Sequence, residues 1–401
     1  MKTPKIGLLA KILIAILLGI GAGLGLQYLS TAFADSWAPG AAESIARVFI
    51  TFNGIFSQFL GFVIPLIILS LVTSAIANIG NKAGKMLIIT VAIAYGSTIF
   101  AGLVSYFTGA SLFPSMIDSG AGVAAVEKPE SLIPFFTVNI PPLMGVMTAL
   151  ILAFTLGLGL ASTQHETLMK ATQGFEEIMV KTIKAAIIPV LPLYIFGIFI
   201  EMAYVGTVFS ILSVFIKIIG IIFIIHIGIL LLQFCIAGAL TRKNPLKLLW
   251  NMMPAYFTAL GTQSSAATIP VTLEQACKNG VSPKIAGFTI PLCATIHMAG
   301  STLKIVACAL ALMIMQGMPY DFGMFAGFIC MLGITMVAAP GVPGGAIMAS
   351  LGILESMLGI TGGAQALMIS LYIVMDSFGT ACNVTGDGAI ALVVDKIFKK
   401  K

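Results

Sequence analysis

Long apolar runs separated by short polar segments dominate this chain. A membrane-spanning helix needs about 20 consecutive apolar residues, and runs of that length recur from one end of the sequence to the other. They predict eight spans, over residues 7–30, 46–77, 84–109, 137–161, 177–204, 206–240, 284–316 and 364–394. The second and sixth runs are long enough to require tilt or a break. The pattern therefore predicts an all-α polytopic membrane protein.

Two further apolar stretches are interrupted in the middle. Residues 246–277 are broken by the small polar tip GTQSSAAT, and residues 322–358 by PGVPGG. Each arm has about 10–16 residues and reaches about 15–24 Å as a helix, less than the roughly 30 Å hydrocarbon core. Since irregular backbone at membrane depth must be enclosed by protein or water, we predict two re-entrant helical hairpins.

The order of these elements contains a repeat. Each hairpin is followed by a full span, and the two hairpins enter from opposite sides of the membrane. Inverted repeats of this kind are typical of secondary transporters, which bind substrate and ions near the midplane at the broken helices. Two kinked spans in a channel or an assembly factor remain the alternative at this point.

Composition supports the membrane assignment and limits the classes of function. The 401 residues are 59% hydrophobic and 9% charged, whereas a soluble domain has about 45–50% apolar and about 25% charged residues. A soluble enzyme, a disordered chain and a disulfide-stapled secreted protein are excluded. The six cysteines lack metal-binding spacing. The sequence has no nucleophile elbow, HExxH, P-loop or dinucleotide fingerprint, so we expect a non-enzymatic protein whose uphill transport is driven by an ion gradient.

The chain has a net charge of +6, and its charged residues are distributed unevenly among the loops. Basic residues occupy alternate loops and both chain ends, while most acidic residues occupy the other loops, with Lys128 the clearest exception. By the positive-inside rule this predicts a multi-pass protein of the cell (inner) membrane with both termini in the cytoplasm. The apolar N-terminus is expected to be a retained helix, not a cleaved signal peptide. The positive charge indicates topology, and we expect no nucleic-acid partner.

The last predicted span carries a line of polar residues. Positions i, i+4, i+7 and i+11 are Asp376, Thr380, Asn383 and Asp387. At about 100° per residue they lie on one helix face. Carboxylates inside a membrane cost several kcal/mol unless they are paired, hydrated or bound to a cation. We therefore expect a binding site here.

The preceding span has a second polar face. His297, Ser301 and Lys304 stand at i, i+4 and i+7, and Ala299–Gly300 permits local unwinding. A functional and a structural role for His297 remain equally open from these residues alone.

Four motifs resemble those of the dicarboxylate/amino acid:cation symporter family. They are TQSSAATIPVT (262–272), PLCATIHMAGS (291–301), APGVPGGAIM (339–348) and MDSFGTACNVTGDG (375–388). The family includes the excitatory glutamate transporters and the bacterial sodium/serine-threonine symporters, and the latter branch is nearest in motif. The resemblance covers essentially the whole chain and implies the glutamate-transporter-homologue fold.

The resemblance also implies an elevator-type homotrimer in the lipid bilayer. Residues 1–80 would supply scaffold helices 1–2, and residues 111–204 scaffold helices 4–5. The transport domain, which slides across the membrane, would combine helix 3 (81–110) with residues 205–401. This last segment contains helix 6, both hairpins and helices 7 and 8.

The implied substrate is an amino acid. Asp376 would hold its ammonium group, and Asn383 with the hairpin tip Ser264–Ser265 would hold its α-carboxylate. The rest of the expected pocket comprises Ser301, Lys304, Gly341, Val342, Gly345, Gly379 and Thr380.

The resemblance implies two sodium sites. One would use Asp387 and the backbone carbonyls of Cys293 and Asn383, with His297 beside them. The other would use carbonyls of Thr295 and of the second hairpin from Met336 to Ala339, with the Met298 sulfur nearby. Hard oxygen ligands of this kind suit sodium.

Departures from the family pattern affect ion coupling. The family's NMDGT reads His-Met-Ala-Gly-Ser at 297–301. Ala299 replaces an aspartate, so a third sodium site is expected to be lost. His297 replaces an asparagine, and an imidazole next to Asp387 leaves proton coupling or pH-gated sodium binding as an alternative to simple sodium coupling.

Departures in the pocket affect substrate choice. Acidic-substrate members carry an arginine where this chain has Gly379, which favours a small neutral substrate such as serine, threonine or alanine. Lys304, at a position where dicarboxylate members carry tyrosine, leaves uptake of an acidic amino acid or a dicarboxylate as the alternative. A proton-driven carrier of the same fold, and a channel or intramembrane enzyme, complete the rival hypotheses.

Overall fold

The computed structural model describes residues 8–80, 85–117, 132–163, 165–339 and 344–398, which contain helices and no strand. The first half contains α1 Leu8–Ala32, α2 Ala38–Gly80, α3 Lys85–Leu112, α4 Val146–Thr163, α5 Glu166–Thr182, α6 Ile188–Tyr204, α7 Val208–Thr241 and α8 Pro245–Asn251. The second half contains α9 Met253–Thr262, α10 Ser265–Lys278, α11 Pro283–Ile296, α12 Ala299–Met315, α13 Phe322–Val337, α14 Gly345–Leu358, α15 Gly362–Val374 and α16 Asp376–Phe398. One π-helical turn, Ile183–Ile187, joins α5 to α6.

The helices are long and apolar enough for a polytopic membrane protein. Among the described residues, six helical runs could cross a bilayer, and a seventh is obtained if α15 and α16, bent by 59° at their junction, form one broken span. The predicted start of the fourth span at residue 137 is wrong. Residues 137–145 are not helical, because Pro141 and Pro142 lack the N–H donors that a helix interior needs. The α4 helix that follows has 18 residues, and the total of eight spans stays a prediction.

Both interrupted stretches form pairs of short helices. The arms α9 and α10 pack against each other, and the chain reverses at Gln263, which adopts a left-handed conformation with φ of 52°. The arms α13 and α14 also pack together, and their junction includes residues 340–343, which lie outside the described residues. At 14 residues, α10 and α14 each reach only about 21 Å. Their entry into the membrane as re-entrant hairpins stays a prediction.

The helices pack in two groups. One comprises α1, α2, α4, α5 and α6. In the other, α16 packs against α7, α9, α10, α11 and α12, while α3 packs against α12 and α13. The groups meet where α14 contacts α2 and α4, and where α15 contacts α1 and α6. The assignment of helices to a scaffold and a transport domain stays a prediction.

Every residue of α12 is buried, and so is α16 from its start to Leu392 except for Phe378. The polar side chains on these two helices therefore face protein and not lipid. Because an unpaired charge inside a membrane protein is costly, their partners define what the site can do.

Candidate functional site

Three backbone breaks meet the polar faces of α12 and α16. Between α11 and α12, His297 and Met298 leave the helical conformation, with φ/ψ of −98°/107° and −126°/38°. Between α15 and α16 the break falls at Met375. The third lies between α13 and α14, where Gly344 has a φ of +75°. Helix breaks release backbone donors and acceptors from their helical partners, so each supplies polar groups inside an apolar protein.

A buried lysine and a buried aspartate face each other at two of these breaks. The Lys304 ammonium, 1% exposed, donates a hydrogen bond of 2.9 Å to the Met375 carbonyl and lies 4.0 Å from Asp376 Oδ1. The other carboxylate oxygen, Oδ2, accepts a hydrogen bond of 2.7 Å from the Gly344 backbone N–H. Since Asp376 is the first residue of α16 and Gly344 precedes α14, two positive helix N-termini stabilise this carboxylate.

The ammonium of Lys304 fills the space beside Gly379. A Cβ atom at position 379 would collide with Lys304 Nζ and Cε, so any larger residue there would require the lysine side chain to move. The same ammonium lies 4.1 Å from the ring centre of Tyr372, close enough for a cation–π interaction. A positive charge on α12 thus occupies the position next to residue 379 of α16, where the acidic-substrate alternative requires one.

Asn383 and Ser301 connect α16 to α12, about one helical turn from Gly379 and Lys304. Asn383 Oδ1 accepts a hydrogen bond of 2.8 Å from the Gly300 backbone N–H. Its Nδ2 group donates to Ser301 Oγ at 3.1 Å and to the Met298 sulfur at 3.4 Å. Ser301 Oγ also accepts from the Tyr372 hydroxyl at 3.0 Å. These groups continue the polar surface that begins at Asp376.

His297 and Asp387 form the second buried pair. His297 Nδ1 lies 2.9 Å from Asp387 Oδ1 and 3.3 Å from the Asn383 carbonyl oxygen. On the other side of the ring, Nε2 lies 3.1 Å from Ser97 Oγ, which accepts a hydrogen bond of 2.9 Å from Gln233 Nε2. Neutral His297 with the proton on Nδ1 satisfies all of these contacts, since Ser97 then donates to Nε2.

Other predicted residues lie at helix ends. Ser264 caps α10 by accepting from the Ala267 N–H at 3.3 Å, and Ser265 is buried as the first residue of that helix. Both belong to a hairpin that packs on α16. Gly345 begins α14.

The remaining predicted side chains make local contacts. The hydroxyls of Thr380 and Thr295 donate to carbonyls of their own helices, at Asp376 and Leu292. Gly341 and Val342 lie outside the described residues. A binding role for these residues stays a prediction.

Three contacts of the site were missed from the sequence. Ser97 on α3 contacts His297, Gln233 on α7 contacts Ser97, and Tyr372 on α15 contacts Lys304. Each of these contacts joins distant parts of the chain. Gln233 carries a signal that could have been used, because an amide within an apolar span is rare. Ser97 and Tyr372 carry none, since serine and tyrosine are common in buried helices.

The two predicted sodium donor sets differ in their fit to sodium. In the first, the Cys293 carbonyl accepts from the His297 N–H at 2.8 Å, and His297 Nδ1 is within hydrogen-bonding distance of the other two oxygens. That set does not fit a sodium ion while the imidazole is in place.

The second donor set consists of oxygens whose chemistry suits sodium, and their assembly into one site stays a prediction. The carbonyls of Thr295 and Met336 belong to the last turns of α11 and α13, where helical partners run out and the helix dipole favours a cation. The Ala339 N–H uses one lone pair of the Met336 carbonyl, at 3.2 Å, and a carbonyl oxygen has two. Among the described residues, His, Cys, Asp and Glu form no group of three or more that could hold a metal.

Comparison with known proteins agrees with this geometry. The family model described as "Sodium:dicarboxylate symporter family" matches residues 8–397. The serine/threonine transporter SstT of Acinetobacter baumannii is 26% identical over 417 aligned positions, which cover 98% of this chain and 97% of that protein.

Two mammalian proteins match over shorter segments. The neutral amino acid transporter B(0) of Rattus norvegicus is 32% identical over 150 residues, 37% of this chain and 26% of that protein. The excitatory amino acid transporter 2 of Homo sapiens is 32% identical over 179 residues, 44% of this chain and 31% of that protein. Because the family model spans nearly the whole sequence, the chain belongs to the sodium:dicarboxylate symporter family of membrane transporters.

Proposed function

We propose that this chain is a secondary active symporter that couples sodium influx to the uptake of a small amino acid. The observation that carries the proposal is the cluster of Asp376, Lys304, Ser301 and Asn383, buried between α12 and α16 at the helix breaks. The cluster contains an anionic group for a substrate ammonium, and an ammonium and an amide for carboxylates. Serine, threonine and alanine are the favoured substrates, since a serine/threonine transporter is similar to this chain over nearly its whole length.

Sodium coupling is supported by the family and by the donor chemistry. The carbonyl groups at the ends of α11 and α13 suit a hard cation of low charge. Two sodium ions, with the third site lost at Ala299, follow from the family pattern.

The proposed cycle is an elevator movement in a homotrimer of the inner membrane, with both termini in the cytoplasm. The helix group containing α3 and α7–α16 would move against the group containing α1, α2 and α4–α6. Gly352 of α14 supports a test, because a Cβ there would lie 2.7 Å from Val146 of α4. A Gly352→Cys/Val146→Cys cross-link should stop uptake until reductant is added, whereas each single variant should transport after the same oxidation. Unimpaired uptake by the cross-linked protein would contradict the elevator.

Uptake in proteoliposomes tests the proposed function directly. Radiolabelled serine should accumulate against its gradient when sodium is outside, and should not accumulate when choline replaces sodium. Equal uptake in sodium and choline would contradict sodium coupling and favour a proton-driven carrier. Failure of serine, alanine and threonine to be transported under any gradient would contradict the choice of substrate.

A second candidate substrate class is favoured by one specific observation. Because Lys304 places its ammonium next to Gly379, a second carboxylate of the substrate would meet a positive charge there. Aspartate or a dicarboxylate such as succinate would then bind between Lys304 and Asn383. Competition by aspartate, succinate, cystine and alanine against labelled serine separates the candidates. Strong inhibition by aspartate and succinate, without inhibition by alanine, would favour a substrate with two carboxylates over a small neutral amino acid.

A further inference from the structure

The His297 imidazole is fixed on three sides at the first predicted sodium site. Nδ1 contacts Asp387 Oδ1 and the Asn383 carbonyl, and Nε2 contacts Ser97. The side chain is 0% exposed, and Asp387 is 1% exposed. The ring is therefore buried between α3 and α16.

A glycine in α16 makes room for this ring. A Cβ atom at Gly386 would lie 2.7 Å from His297 Cε1 and 2.6 Å from Gln233 Oε1, both closer than van der Waals contact allows. The packing of α16 at this level is thus adapted to the imidazole and to the Gln233 amide that supports it through Ser97. An asparagine at 297 would leave part of this space empty.

The imidazole N–H does chemically what a cation would do at these oxygens. It satisfies a buried carboxylate and a backbone carbonyl, the same two groups that sodium would coordinate. A ring nitrogen is a poor ligand for sodium, which prefers oxygen, so the ion cannot simply bind with His297 as an added ligand. While His297 makes these hydrogen bonds, the imidazole occupies Asp387 Oδ1 and the Asn383 carbonyl.

We propose that His297 permanently replaces the sodium ion at Asp387, so that each chain binds sodium only through the second donor set, at Thr295, Met298 and Met336–Ala339. This inference rests on the proposed function and changes its ion count. The chain then uses one sodium ion fewer than the two that its family pattern implies.

Equilibrium binding of radioactive sodium to the purified full-length protein tests this count without relying on transport. Wild type, saturated in separate samples with serine and with aspartate, should bind about one ion per chain, with a single-site isotherm. His297→Asn removes the ring and adds an amide oxygen, and should bind about two. His297→Asn/Asp387→Asn should return to about one.

His226→Asn is the matched control. His226 is also buried in a helix, but it contacts Tyr256 at 3.3 Å, so its replacement should leave the ion count unchanged. The wild-type stoichiometry remains decisive even if His297→Asn does not fold. Two ions per wild-type chain would overturn the inference while leaving sodium symport intact, and an unchanged count in a folded His297→Asn would also overturn it. No sodium binding at all, with equal uptake in choline, would overturn the proposed function as well.

Discussion

Two buried pairs of a base and an acid lie along α16, and they are built differently. The Lys304–Asp376 pair is separated by 4.0 Å, and Lys304 donates one hydrogen bond to a backbone carbonyl. The His297–Asp387 pair is separated by 2.9 Å, and both ring nitrogens are engaged. An ammonium has three N–H donors, whereas an imidazole has two nitrogens. Lys304 therefore has donor capacity left for a ligand, and His297 has none.

This difference assigns separate roles to pairs that look alike in the sequence. The pair with unused donors lies at two backbone breaks, where a ligand can replace one partner of each ion. The fully engaged pair is buried against α3 and α16, where a ligand would have to displace a side chain. We infer that the first pair binds substrate and that the second maintains the packing of α16. Four experiments test the separate roles of the two pairs.

Asp376→Asn should have the largest effect. It removes the charge that balances Lys304 inside the membrane, and breaking a buried ion pair costs about 3–5 kcal/mol. Uptake of labelled serine in proteoliposomes should fall by about 100-fold or more. Asp376→Asn/Lys304→Gln, in which both charges are absent, should regain thermal stability but not uptake. Wild-type uptake by Asp376→Asn would remove this pair from the substrate site.

Gly379→Ala should reduce uptake by about tenfold or more. The added Cβ must push Lys304 away from its contacts with Met375 and Tyr372, and displacing an ordered core side chain costs about 1–3 kcal/mol. Combining it with Lys304→Ala should relieve the collision and restore thermal stability. Gly287→Ala on α11 is the matched control, since a Cβ there meets no atom within 4 Å. Equal uptake by both alanine variants would show that the position of Lys304 is unimportant.

Lys304→Ala should change selectivity more than overall capacity if the ammonium binds a substrate carboxylate. A hydrogen bond to a charged group contributes about 1.5–3 kcal/mol, so the inhibition constant of aspartate should rise on the order of 10–100-fold. The constant for serine should change less. Equal changes for the two competitors would indicate that Lys304 only neutralises Asp376.

Ser97→Ala should have the smallest effect. It removes the neutral hydrogen bonds of Ser97 with the His297 ring and with Gln233, and each contributes about 1 kcal/mol to the free energy of unfolding. Thermal unfolding of the purified protein should shift slightly, while the affinity for serine stays within about twofold of wild type. A large loss of serine affinity would show that the His297–Asp387 pair is part of the substrate site after all.

Local pattern was sufficient for much of the fold. Runs of apolar residues predicted most of the long helices, and short interrupted runs predicted the helix pairs α9–α10 and α13–α14. The fourth span was misplaced because apolar content alone does not reveal that Pro141 and Pro142 delay the helix start. The 3.6-residue period correctly placed Asp376, Thr380, Asn383 and Asp387 together on one helix, because such spacing depends only on backbone geometry.

The sequence by itself determined that this chain is a polytopic helical protein, that few of its charges lie within the membrane, and which residues those are. The partner of each buried charge was decided by the tertiary structure. Ser97 contacts His297, and Gln233 contacts Ser97, from helices far apart in the chain. Tyr372 covers Lys304 from across a helix break. The same structure places the Lys304 ammonium beside Gly379 and turns His297 onto the oxygens of Asp387 and Asn383. Residue spacing fixes only which side of a helix a group is on, whereas the energy of a buried charge depends on groups within a few ångströms, contributed by every helix that packs around it.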